Sequence, residues 1–159
     1  MVRAAAPAPA PSQKRYIVRC SRMAGEYLRG IRERAVDDKG RLRTACRWST
    51  VYSALRACLD ELIPRFALDR RFALTEHDGV RLNGIYRDHV GRLVVFWIAS
   101  SDQNVAIVLF VGYRKDGDAN DAYRALARHL RAGSFEGYFK ELGQTNPLQS
   151  NPAQQPGPG

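Results

Sequence analysis

At 159 residues with 45% hydrophobic side chains, the chain fits one domain that can bury a working core without staples. Its 25 lysines and arginines stand against 16 aspartates and glutamates, a formal charge of +9 in which arginine dominates. Guanidinium matches phosphate better than ammonium does, so the bias reads either as a solvated basic surface or as a nucleic-acid partner. No apolar run approaches the roughly 20 residues of a membrane-crossing helix. Cys20, Cys46 and Cys58 form neither a CxxC pair nor a ligand spacing with His77, His89 or His129. That argues against a metal site or a disulfide framework, and for free thiols in a reducing cytoplasm.

The opening stretch 1–13 is alternating Ala and Pro, without the leucine-rich core of a signal peptide, and reads as a stiff disordered tail. Ordered structure is expected over 14–143, with a second disordered Pro/Gly-rich tail at 144–159. Tyr16, Val18 and Cys20 share one face of a predicted short strand. Ser21 is placed to cap a helix carrying Met23, Tyr27, Leu28 and Ile31. The longest helix signal spans 41–63 on Leu42, Cys46, Val51, Leu55, Leu59 and Leu62, and Pro64 is expected to close it. Arg41, Arg43, Arg47, Arg56 and Arg65 fall mostly off that stripe, as on a solvated face.

Phe72, Leu74 and Glu76 alternate as in a strand, and His77-Asp78-Gly79 signals a turn. A strand over 80–87 follows, and Asp88-His89-Val90-Gly91 reads as a tight connection. Two apolar runs, 93–99 and 105–111, are rich in β-branched and aromatic residues and flank the turn-prone segment 100–104. Neither alternates, which predicts central strands covered on both faces. Asp118 is a plausible N-cap for a helix with Tyr123, Leu126, Ala127 and Leu130 on its stripe. Phe135, Tyr138, Phe139 and Leu142 mark a last amphipathic piece, read as packing on the sheet or as a face for a partner. The layout is α+β: an antiparallel or mixed sheet of about four strands, an N-terminal helical hairpin packed on one face, and a C-terminal helix.

The block Gly91-Arg92-Leu93-Val94-Val95-Phe96, the apolar strand ending Gly112-Tyr113-Arg114-Lys115, and then Tyr123 resemble the pattern of the RelE/ParE superfamily of bacterial toxins. The resemblance is close over 90–130 and topological over 14–76. It implies a cytoplasmic toxin neutralised by a cognate antitoxin. In the RelE branch it implies an endoribonuclease that needs no metal or cofactor and cuts messenger RNA on the ribosome. Arg92 matches the arginine expected to bind the scissile phosphate, and Arg114 the one expected to stabilise the transition state. Tyr123 matches the tyrosine that stacks on a base and aids proton transfer. Arg81, Arg87, His89 and Lys115 are the further RNA-binding candidates, with His89 able to move protons near neutral pH.

The sequence departs from the pattern in two places. Asn83 and Ile85 stand where the family often has lysines, and Asp116, Asp118 and Asp121 intervene between Arg114 and Tyr123. Each of Arg92, Arg114 and Tyr123 also has an ordinary structural reading, as a surface arginine, a partner of a nearby Asp, or a core aromatic. Two other functions therefore stay open. One is a ParE-like gyrase inhibitor, which would provoke a DNA-damage response with messages intact. The other is a non-catalytic basic module that binds a protein or nucleic acid on the same scaffold.

Overall fold

In the computed structural model, residues 15–148 are described. The expected tail at 1–13 lies outside them, as does the second tail from 149 onward. The centre is a pair of long antiparallel strands, β5 (Leu93–Ser100) and β6 (Val105–Tyr113), numbered in chain order. All eight residues of β5 are buried. Such a run cannot alternate in polarity because both of its faces meet apolar layers. β1 (Ile17–Cys20) pairs parallel with β6, and β4 (Tyr86–Val90) pairs antiparallel with β5, giving the mixed order β1-β6-β5-β4. A two-stranded hairpin, β2 (Glu76–His77) and β3 (Val80–Arg81), stands apart. Its turn, Asp78-Gly79, has φ of 50° and 78°, the left-handed pair that a tight hairpin demands.

The sheet is covered on both faces, as its unalternating strands predict, and helices supply both covers. On the first face lie α1 (Arg22–Ala35) and α2 (Arg47–Ala57), where Leu28, Ile31 and Leu55, with Leu59 just beyond α2, pack on Val95, Trp97 and Val108. On the second lie α4 (Ala122–Arg131) and α5 (Glu136–Glu141), where Leu126, Leu130, Phe135 and Phe139 meet Phe96, Ile98, Ile107 and Leu109. The last amphipathic piece is thus a packing element. Residues 144–148, assigned to the tail, also pack: Asn146 is buried and its Nδ2 donates to Leu130 O at 2.8 Å.

Ser21 caps α1 as expected: its hydroxyl accepts from Ala24 N at 3.0 Å and donates to Leu109 O at 2.6 Å. The expected 41–63 helix is displaced at both ends. It starts only at Arg47, after Leu42 has bridged back to Val36 and Ala45 has turned to φ 51°. It then runs past Pro64 through a π turn (Cys58–Leu62) into α3 (Ile63–Phe66). The π turn lets Ile63 N donate to Cys58 O, and it puts proline in the first turn of α3, where its missing N–H costs nothing. The strand expected around Phe72 is a 3-10 turn (Arg70–Phe72) followed by one bridge, Ala73 to Tyr86. Asp88, His89 and Val90, read as a connection, are the end of β4; the hairpin turn is the two residues Gly91-Arg92.

A bulge in β6 places Leu109 as an extra residue against the Phe96–Trp97 step. Beyond it the parity of the strand inverts, so Val111 and Tyr113 face α1 and α2, and Gly112 faces α4. A Cβ at Gly112 would lie 2.9 Å from the Phe110 ring and 3.2 Å from Ala122 Cβ. We therefore expect Gly112→Ala to destabilise the fold by about 1–3 kcal/mol through overpacking. Denaturant unfolding checks this, and an unchanged midpoint would mean that α4 yields freely.

Candidate functional site

The site lies where β4, the end of β6 and the start of α4 converge. Paired with β5, β4 directs Tyr86, Asp88 and Val90 to the α1–α2 face, which leaves Arg87 and His89 on the α4 face. Tyr123, one residue inside α4, reaches them from the opposite side. His89 Nε2 and Tyr123 Oη are hydrogen-bonded at 2.9 Å. The Tyr123 ring is only 4% exposed; it meets Phe96 edge-on at 5.2 Å and lies flat on His77 at 3.7 Å. With one face against His77 and an edge contact on Phe96, the ring offers no open face to a base in this conformation. Only its hydroxyl addresses the site.

The α4 end is tied down by Asp121, not by Asp118. The buried Asp121 carboxylate accepts from Tyr123 N at 3.0 Å and from Lys115 N at 2.6 Å. One side chain therefore caps the helix and closes the 114–121 loop. Of the three acids between Arg114 and Tyr123, Asp121 is occupied internally. Asp116 sits on Arg114, Oδ1 to Nε at 3.2 Å, an exposed ion pair of small worth. Arg114 in turn takes its place from the β4–β5 turn: its backbone N donates to Arg92 O at 2.8 Å, which holds the two residues side by side at the hairpin end.

The electrostatics follow from this crowding. Burial, then the Arg87 and Arg114 guanidinium groups, hold the His89 pKa below its usual 6.5, so the ring is neutral at pH 7. Burial pushes the Tyr123 hydroxyl up, with Asp121 adding to the rise while Arg87 and Arg114 oppose it. Arg87 is half-buried, and its Nε is buried without an acceptor among the described residues. A buried guanidinium N–H left in that state is costly until an oxygen acceptor reaches it.

The fold thus gathers Arg87, His89, Arg114 and Tyr123, with Arg92 and Lys115 at the rim. Arg92 and Lys115 line, with Arg114, a groove of about 680 Å³ on the α2 side of the hairpin end. Arg81 lies apart, on β3 opposite Glu76 and exposed to solvent. Two residues escaped the reading of the sequence. His77 registered only as part of a turn, and Trp48 sat unremarked beside Arg47 in a helix read as solvated. Among the described residues, no group of three or more His, Cys, Asp or Glu is placed to hold a metal ion, and no helix is long and apolar enough to cross a membrane.

Among solved structures, the chain is similar to the toxin–antitoxin complex RelBE2 from Mycobacterium tuberculosis. The match has 15% identity and a TM-score of 0.42, covering 64% of this chain and 94% of that one. No family model and no curated protein matches the chain.

The double role of Asp121 makes it the residue on which the site's geometry rests. Asp121→Ala is expected to lower stability by about 1–3 kcal/mol, the sum of a lost cap and a stranded buried N–H. A shift in thermal or urea unfolding measures it, and no shift would mean that water replaces both bonds.

Proposed function

We propose that the chain is the toxin of a toxin–antitoxin pair, and that it cuts messenger RNA by activating the substrate's own 2′-hydroxyl. The observation that carries this reading is the meeting of His89 and Tyr123 at 2.9 Å beside Arg114 and the unsatisfied Nε of Arg87. In-line attack forms an O2′–P bond and breaks P–O5′, which leaves a 2′,3′-cyclic phosphate and a 5′-hydroxyl. His89, neutral at pH 7, takes the 2′-hydroxyl proton on Nδ1 while Tyr123 fixes its ring through Nε2, and solvent water supplies the proton that O5′ takes up as it leaves. Arg87 supplies an N–H that lacks an acceptor, and Arg114 exchanges Asp116 for the phosphate, so both guanidinium groups meet the charge that builds on phosphorus. Arg92, one hydrogen bond away, holds the adjoining phosphate. The basic surface gives an acidic antitoxin a ready target, and the same charges would serve the ribosome.

A second reading, a non-catalytic basic module, is favoured by the His77 ring lying on Tyr123, which closes the face a base would stack on. Expression of the chain in bacteria without a neighbouring gene, with the 5′ ends of transcripts mapped, separates these. Growth arrest with new cuts in translated messages supports the ribonuclease. Arrest with messages intact and DNA damage moves the target to gyrase. Neither effect leaves the binding module.

Two outcomes test the assignment of residues. Arg114→Ala and Arg92→Ala should each lower the cleavage rate by about 10²–10³-fold with unfolding midpoints unchanged, as for loss of one charge-stabilising donor. Wild-type toxicity in the folded double variant would remove the mechanism. Because His89 titrates below 6.5 and acts as a base, the rate should rise with pH through a midpoint below 6.5 and be level above it. In His89→Gln that acid limb should vanish along with most of the rate.

A further inference from the structure

The groove on the α2 side of the hairpin end shares Arg92 and Arg114 with the chemistry above, but its other lining residues have no part in it. It holds about 680 Å³, within the range of small-ligand sites, and lies between the first turns of α2 and the ends of β4, β5 and β6. Its floor is apolar, from Val51, Ala54, Leu93 and Tyr113. Its cationic lining is Arg47, Arg92, Arg114 and Lys115, and no carboxylate lines it. The half-buried Trp48 forms one wall, and its indole already attracts guanidinium groups, with Arg34 at 4.8 Å and Arg47 at 5.1 Å from the ring centre. An aromatic plane over an apolar floor, ringed by arginines, is the composition of a single-stranded nucleotide site, where the base stacks and the phosphates meet cations.

We infer that this groove binds one nucleotide of a single RNA strand, its base stacked on Trp48 and its phosphate between Arg47 and Arg92. The inference rests on the ribonuclease reading for the strand's path: Arg114 belongs both to the groove and to the His89 site, so a phosphate at Arg114 delivers its neighbour to Trp48. The site would set which nucleotide flanks the cut.

The test uses fluorescence of the full chain. Its only other tryptophan, Trp97, is fully buried and donates to Ala67 O, so quenching by a solute reports Trp48. The probe is an RNA hexamer 2′-O-methylated throughout, which cannot be cut. It should quench the emission, more weakly as salt is raised. Trp48→Phe should leave the Trp97 emission unquenched and its maximum unmoved, the sign that the variant is folded, and Trp48→Ala should bind the hexamer about tenfold more weakly. Quenching by poly-glutamate but not by the hexamer would overturn the inference and make the groove a seat for an acidic protein segment; quenching by neither would overturn it outright. Trp48-dependent hexamer binding without any transcript cleavage in cells would sink the ribonuclease reading and leave the nucleotide site standing. Cleavage without Trp48 quenching would do the reverse.

Discussion

Everything in this molecule hangs on the pairing of β5 with β6. The two strands are long and apolar, and they are covered by α1 and α2 on one face and by α4 and α5 on the other. Burying such a ladder on both sides removes several large side chains from water, each worth about 1.5–3 kcal/mol, and leaves the backbone no competitor for its hydrogen bonds. The polar chemistry is pushed to the end of the hairpin, where the strands run out of cover and Gly91-Arg92 and Arg114-Lys115 emerge side by side.

The bulge at Leu109 decides what stands at that end. It reverses the parity of β6, so that Tyr113 lies against the first helix layer while Gly112 lets α4 come close on the second. Close approach of α4 brings Tyr123 within reach of His89. Asp121 then fixes both the helix start and the loop that carries Arg114. A bulge, a missing side chain and a buried carboxylate together set the distance between a histidine and a tyrosine.

The two sides of the hairpin end differ in character. On the α4 side, a buried Tyr123 and a half-buried Arg87 stand against the exposed His89, and the His89 and Tyr123 pKa values are shifted by burial and by neighbouring charge. On the α2 side, the groove is wide and open to solvent over an apolar floor, with an indole, three arginines and a lysine. Such a division suits an anionic polymer: reactive positioning where desolvation sharpens electrostatics, and recognition where a base and its phosphate can enter and leave.

The sequence by itself determined the central hairpin, the α+β class, the Ser21 cap and the basic character, because those follow from composition, run length and local hydrogen bonding. It also marked Arg92, Arg114 and Tyr123, through their spacing around two apolar strands. It placed Pro64 and Asp118 wrongly, since a π turn can absorb a proline and three aspartates compete for one cap within six residues. It could not show that helices cover both faces, because a run buried on both sides reads the same whatever covers it. Only the tertiary structure brought His89 to Tyr123, laid His77 on that ring and stacked Arg34 on Trp48. Those contacts join residues well apart in the chain, and their distances are set by packing, of which a local pattern carries no trace.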